Sequence, residues 1–513
     1  MLSGCVANNN NQGNDADSTE LVIGMALGDL ATLDPARVLA DAMQLVIPLY
    51  SDTLVDVNQD DAREIVPGIA TKCEVSDDLK TYTFTLRDDI TFPGGNKLTA
   101  EDVEFSLMRI KNVHGASAFK MGMVESVDVL DETTIQFNLI GPDSSFPSRM
   151  TAPYLAVLDS KVLQENGGVS DETAVDADTA QEFLDGTTIG SGPYELSAWN
   201  RNEDIVFTAR DDYWGDAPDF ETIVVRDIRS AATQRQLVER GDIDIAMDID
   251  PDTAVSLKDS EGVTVVSEQS YNLNYIAMSD TAANPQFKDL RVRQAVQAAI
   301  DYDGISAALG GNAPRPAAAV PIGFLGADQV KPVETDVERA KQLMEDAGVG
   351  EFSVDVTFAN VIWYGVSQQA LWEKIKSDLS QIGITLNLVP VEYANWIDGY
   401  RASSLPLTSG LWAPEDFDSS SYFDPFGREE GIYGKRTKMV FPVGQELYEK
   451  YLSEIDADER EAIAVEYITE MRDHATLIPI IQPKKIFVHA DRVANVKYSP
   501  DMQLRISAIT LAD

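Results

Sequence analysis

Ile65-Val66-Pro67-Gly68-Ile69-Ala70-Thr71-Lys72-Cys73-Glu74-Val75-Ser76-Asp77-Asp78-Leu79-Lys80-Thr81-Tyr82-Thr83-Phe84-Thr85-Leu86-Arg87, continued by Ile90-Thr91-Phe92 and by Gly95-Asn96-Lys97-Leu98-Thr99-Ala100-Glu101-Asp102-Val103, is the stretch from which the architecture is read. Tyr82, Phe84 and Leu86 alternate with Thr83, Thr85 and Arg87. That period of two predicts a half-buried strand. Asp77-Asp78 supplies the turn chemistry that reverses the chain before it. Thr99 then predicts a helix N-cap, with Asp102 three residues on to reach back to the Thr99 amide. Val103, Leu107 and Ile110 form the apolar face of that helix. Cys73, in the strand-like Ala70 to Val75 segment, reads as a small buried hydrophobe.

Outward from this stretch the pattern stays mixed α and β. Glu20 to Met25 reads as a first strand. Ala232 to Arg240 reads as a helix closed by Gly241, followed by a strand in which Ile243, Ile245 and Met247 alternate with acids. Asp289 caps a helix carrying Val292, Val296, Ala299 and Ile300, and Asp336 caps one that Gly348 ends. Leu371, Ile375, Leu379 and Ile382 have helical spacing, Gly383 stops them, and Ile384 to Val389 returns as a strand. Helix, glycine and strand in succession fit α/β lobes. Residues 160 to 187 read as polar surface structure, and the proline-rich 311 to 333 as a surface crossing. No fixed-period repeat is visible.

Leu2-Ser3-Gly4-Cys5 resembles a bacterial lipobox, in which the cysteine carries lipid. Residues after it, to Thr19, are polar and have almost nothing to bury, so 1–19 reads as a solvated tether. No run approaches the roughly 18–20 apolar residues that span a bilayer. The 513 residues carry 85 acids against 40 bases, a formal charge of −45. A phosphate-binding surface needs a basic face, so nucleic acid is excluded as a partner. The acidity either steers cationic ligands or keeps the chain soluble in a salty habitat. Two cysteines, Cys5 and Cys73, form no disulfide framework, and the three histidines show no zinc spacing. Gly190-Ser191-Gly192-Pro193 has proline where a phosphate-binding helix would start, and no nucleophile motif occurs. The sequence therefore predicts neither an enzyme nor a resident cofactor or metal.

The quoted stretch, in order with Gly190-Ser191-Gly192-Pro193-Tyr194, Tyr213-Trp214-Gly215, Gly241-Asp242-Ile243-Asp244, Leu290 to Val296 and Ala340-Lys341-Gln342-Leu343, resembles the extracytoplasmic solute-binding proteins of ABC transporters, in the peptide/nickel-binding family (family 5). The resemblance runs from about residue 20 to about residue 500. It implies a two-lobed periplasmic-binding-protein-like α/β fold with an extra β-rich subdomain on lobe I. Carried over, lobe I is 20–50, 185–270 and 485–513, the subdomain 51–184, and lobe II 271–484. Hinge strands fall near Ser270-Tyr271-Asn272 and Ile481-Gln482-Pro483. The implied function is capture of an oligopeptide between the lobes by a monomeric, lipid-anchored receptor outside the cytoplasm, which delivers it to membrane permease subunits. An oligosaccharide or metal chelate is the alternative ligand; a hydrolase or signalling co-receptor is the alternative of another class.

Within Leu411 to Phe423, relatives resemble a pattern whose first Asp grips a peptide's α-amino group. An ungapped match puts Glu415 there and Asp418 at the second Asp, with Asp416 reachable by a one-residue slip and Trp412 alongside. A carboxylate suits an ammonium through a charge-assisted hydrogen bond; the alternative is a solvated acidic loop. At Ile362, where dipeptide-specific members look as if they place an Arg for the ligand carboxylate, this chain is aliphatic, which fits a longer peptide or a ligand without a fixed C-terminal carboxylate. Trp363 and Tyr364 then read as ligand-stacking or core aromatics. Trp396 and Tyr400, four apart on one helical face, read as cleft edge or core.

Overall fold

The computed structural model describes residues 19–28, 30–58, 61–280, 284–308, 313–414, 416–499 and 503–512. Cys5, the tether up to residue 18 and Glu415 lie outside the described residues. The quoted stretch supplies two strands of a four-stranded antiparallel sheet in the order Ala70–Val75, Thr81–Leu86, Thr134–Leu139, Val124–Asp131. Tyr82 and Phe84 pack on one face, with ring centroids 5.0 Å from Phe146 and 5.6 Å from Phe137 respectively. Ser76 N donates to Thr81 O at 2.9 Å to close the turn, and Leu79 takes the left-handed conformation there. The helix Ala100–Asn112 starts on the capping box: Thr99 N donates to Asp102 Oδ2 at 2.8 Å. Cys73 corrects the sequence reading, because it is exposed. Its strand is the sheet's edge and every residue after Ala70 lies outside the buried core.

A seven-stranded sheet forms the first lobe, in the order Val263–Gln269, Lys484–Ala490, Ile245–Ala246, Glu20–Met25, Thr222–Asp227, Asp204–Ala209, Tyr194–Asn200. Its centre is parallel, Glu20–Met25 lying between Thr222–Asp227 and Ile245–Ala246. Leu21, Ile23, Ile223 and Val225 fill the core under it. The Gly190-Ser191-Gly192 turn presses against the end of the helix Asp41–Tyr50; a Cβ on Gly192 would come 2.5 Å from Ser51 N. The stretch 160–187 is less superficial than its polarity suggests. Asp178 is buried there against Arg109, whose guanidinium also grips Asp34 at 2.7 and 2.6 Å.

The second lobe holds a five-stranded sheet, Ile384–Val391, Phe352–Ala359, Leu407–Trp412, Leu273–Met278, Leu477–Ile481. Asp289 and Asp336 cap their helices as their positions predict, and Gly348 and Gly383 take positive φ where helices end. The proline-rich segment is a second correction. Ala317 to Val320 belong to this lobe's core, because four small or branched apolar residues in a row fill space between helices instead of facing water.

The chain passes between the lobes twice, after Gln269 and after Ile481, and the passages are tied side by side. Gln482 Nε2 donates to Ser270 O at 2.8 Å, and Ser270 Oγ to Pro483 O. Strand directions follow from these two crossings. Leu273 pairs antiparallel with Trp412 and Asn274 with Ile481, so the carboxyl ends of Leu407–Trp412 and Leu477–Ile481, and of the parallel Phe352–Ala359, meet the hinge edge. Lys484–Ala490 starts at that edge and runs antiparallel to Ile245–Ala246, which brings the carboxyl ends of Ile245–Ala246 and Glu20–Met25 there too. Two sheets thus point their carboxyl ends at one crevice, the place where open α/β sheets bind ligands.

Candidate functional site

The crevice wall on the second lobe begins with a small hairpin after Phe352–Ala359. Ile362–Trp363 pairs with Val366–Ser367, and the turn residues Tyr364 and Gly365 have φ of 49° and 77°. A two-residue turn with both φ positive matches the twist of its strands and favours glycine. Gly365 is needed for a second reason: a Cβ there would come 2.6 Å from Pro251 Cδ of the first lobe. Tyr364 Oη donates to Asp41 Oδ2 at 2.9 Å, and Lys485 Nζ stands 5.2 Å from the Tyr364 ring centroid. Burial pushes up the Asp41 carboxyl and the Tyr364 hydroxyl; the Tyr364 hydrogen bond and Lys485 work against this at Asp41.

Next to the hairpin, Leu407–Trp412 ends in a half-buried Trp412, edge-on to Phe426 at 5.2 Å. The loop that follows carries the acids. Gln44 Nε2 of the first lobe donates to Pro414 O at 3.3 Å. Asp416, 4% exposed, accepts from Lys120 Nζ at 2.9 Å, from Asp418 N at 3.3 Å and from Ser421 Oγ. Burial alone would raise its pKa, but Lys120 and Arg149 hold it below the usual carboxylate range. Lys120 comes from the turn Ala118–Met121 beside the four-stranded sheet, so this ion pair spans two parts of the molecule. Asp418 instead faces inward, accepting from Arg460 Nη2 at 2.8 Å and Ser420 N at 2.9 Å, and is spent on lobe II structure.

Trp396 and Tyr400 are core residues and not cleft edge. Trp396 Nε1 donates to Thr408 Oγ1 at 2.8 Å, and Tyr400 Oη lies 3.4 Å from Tyr275 Oη. The inward face of the helix Tyr393–Arg401 packs on the sheet, and both rings are buried there. Trp363 is half-buried and edge-on to Trp396 at 5.5 Å. Asp41, Gln44 and Lys120 carry no local signal in sequence; only the long-range pairing of lobes brings them to Tyr364, Pro414 and Asp416.

Beside the hinge the crevice widens to a cavity of about 380 Å³. Helix Pro251–Leu257 and strands Val263–Gln269 and Lys484–Ala490 line it from the first lobe, and Tyr364, Gly365 and Val366 from the second. Among the described residues no group of three or more His, Cys, Asp or Glu could hold a metal ion, and no helix is long and apolar enough to cross a membrane.

Comparison with known proteins gives this crevice its context. The chain is 27% identical over 478 residues to a protein named "Probable D,D-dipeptide-binding periplasmic protein DdpA" of Escherichia coli (strain K12), covering 91% of this chain and 87% of that one. It is 25% identical over 400 residues to the same organism's "Dipeptide-binding protein", covering 74% and 72%. A dipeptide-binding protein from Pseudoalteromonas sp. SM9913, solved with Met-Leu, superposes with a TM-score of 0.83 at 21% identity, over 96% of this chain and 100% of that one. The model of the bacterial extracellular solute-binding proteins, family 5, matches residues 64–434, and the chain belongs to that family.

Proposed function

We propose that the chain takes an oligopeptide into the crevice between its lobes and hands it to the membrane permease subunits of an ABC importer. The observation that carries this reading is the pair of sheets whose carboxyl ends face each other across a two-stranded hinge, with polar groups of both lobes meeting there. The relatives named for dipeptides support a peptide as the ligand class. Trp412, Trp363 and Tyr364 offer aromatic walls, and the acidic loop at Glu415 and Asp416 is the candidate grip for an amino terminus. Asp418, Trp396 and Tyr400 support those walls from behind.

Mechanistically the ligand need only contact both lobes. A solute that touches the two walls binds the closed arrangement better than the open one, and that difference sets how far it shifts the equilibrium. Chemistry on the ligand is no part of the reading. The lobe limits, a monomeric state, and attachment through lipid on Cys5 complete it. Native mass spectrometry of the chain taken from expressing cells is the test. Co-purified masses that fragment as peptides support the reading; sugar or metal-chelate masses, with no affinity for a peptide pool, overturn it.

A further inference from the structure

The strand Ala70–Val75 is an open edge of the four-stranded sheet. Its residues from Thr71 on are exposed, Val75 at 50%. Ser76 N donates to Thr81 O, and bonding along an antiparallel ladder alternates from residue to residue. Lys72 lies opposite Thr85 and Glu74 opposite Thr83, in step with that bond, so both turn their backbone groups toward the neighbouring strand. Cys73 and Val75 therefore turn their N–H and C=O groups outward. A row of such groups is a template for another strand.

The side chains say which strand fits. Cys73 and Val75 lie opposite Phe84 and Tyr82 and share the sheet's apolar face. Lys72 and Glu74 share the polar face, with Nζ and Oε1 2.8 Å apart. A twofold axis normal to the sheet at Cys73 lays a second copy of the strand alongside, antiparallel. That axis sets Cys73 opposite Cys73, each donating to the other's carbonyl, and Lys72 of each copy opposite Glu74 of the other. The four charges then alternate in sign, the favourable arrangement for cross-strand pairs. On the apolar face the thiols and Val75 leave water together. The sheet's other edge, Val124–Asp131, is built differently: Glu125, Asp128 and Asp131 are its only charges, so a copy of itself is repelled there.

We propose that Ala70–Val75 is a docking edge for a second copy of this chain, joined about a twofold axis at Cys73 into one sheet running through both copies. So short a strand buries less than the roughly 1,000 Å² of a stable interface, and each copy carries a charge of −45. The pairing is therefore weak. The chain is a monomer in dilute solution, and copies pair where they are crowded to about millimolar local concentration, as attachment to one surface provides. Desolvation, and then the Glu74 charge, push the Cys73 thiol up to about 11. Little thiolate forms near neutral pH, so the pairing rests on strand and charge and not on a disulfide. It is independent of which ligand the crevice holds.

Sedimentation equilibrium of the whole chain in about 0.15 M salt, where exposed charges are screened beyond about 8 Å, tests it. The unaltered chain is monomeric at about 10 μM and self-associates as it approaches about 1 mM. Lys72→Glu and Glu74→Lys each set like charges opposite one another and weaken association about tenfold. Mixing those two variants restores it, because each supplies the sign the other lacks. Both side chains are about 60% exposed, so the fold survives either change. In the Cys5→Ser chain a short bis-maleimide joins Cys73 to Cys73 with a yield that rises with concentration and falls in the Lys72→Glu background. No association up to about 1 mM overturns the inference. Association that ignores the two charges, or that mixing does not restore, also overturns it, because the copies then meet through another surface. Peptide affinity is the same in every one of these chains, so neither result bears on the receptor reading.

Discussion

Lys120→Met removes the ammonium from an ion pair that joins the subdomain to lobe II. Lys120 is 3% exposed and Asp416 4%, with Nζ and Oδ2 2.9 Å apart. Losing one partner of a buried pair costs about 3–5 kcal/mol, because the remaining charge stays desolvated. Asp416 has a way out: if the lobes part, water reaches it. The cost is therefore capped by the free energy that holds the lobes together, and it is paid as opening instead of unfolding. Each 1.4 kcal/mol of lost closure weakens ligand binding about tenfold. The expected result is a Kd for the peptide pool raised at least about tenfold, and a larger radius of gyration by small-angle X-ray scattering, with the thermal transition of the lobes little moved. Lys120→Arg keeps the charge and should keep most of the affinity. A Lys120→Met chain with unchanged Kd and unchanged scattering would refute the claim that this pair holds the lobes.

Other perturbations probe the same framework. Gly365→Val places a side chain where a Cβ already meets Pro251 Cδ at 2.6 Å, so calorimetry should show weakened peptide binding and scattering a more open molecule; unchanged values would mean the hairpin tip does not set closure. Arg109→Met strands the buried Asp34 and Asp178 carboxylates and should lower stability in urea by about 3–5 kcal/mol, whereas a loss under about 1 kcal/mol would contradict the buried network. Asp416 and Asp178 both have pKa values lowered in the folded chain from 3.8. Their ion pairs therefore contribute fully above that value and are lost as pH falls through the depressed folded value, so titration of these two groups should leave stability flat from about pH 5 to 8 and erode it only in stronger acid.

Legibility in the sequence follows range. The Asp77-Asp78 turn, the Thr99–Asp102 cap and the Gly348 and Gly383 stops depend on residues a few positions apart, and all are present. Which face of a helix meets solvent depends on what packs there, so Trp396 and Tyr400 could not be divided between cleft and core by spacing. Cys73 was hidden by the same limit: a strand pattern does not say whether the strand is an edge. The roles of Asp416 and Asp418 were set by Lys120, 296 residues away, and by Arg460, which local sequence does not link to them.

The claim on which the rest depends is that ligand lies between the two lobes, and a crystal structure of the chain with its tightest-binding peptide addresses it without intermediaries. Peptide density in the crevice, in contact with Trp412 on one lobe and the Pro251–Leu257 helix on the other, is the result the fold predicts. Density confined to one lobe or to the four-stranded subdomain, with the crevice contacts of Tyr364 and Asp41 undisturbed, would contradict it.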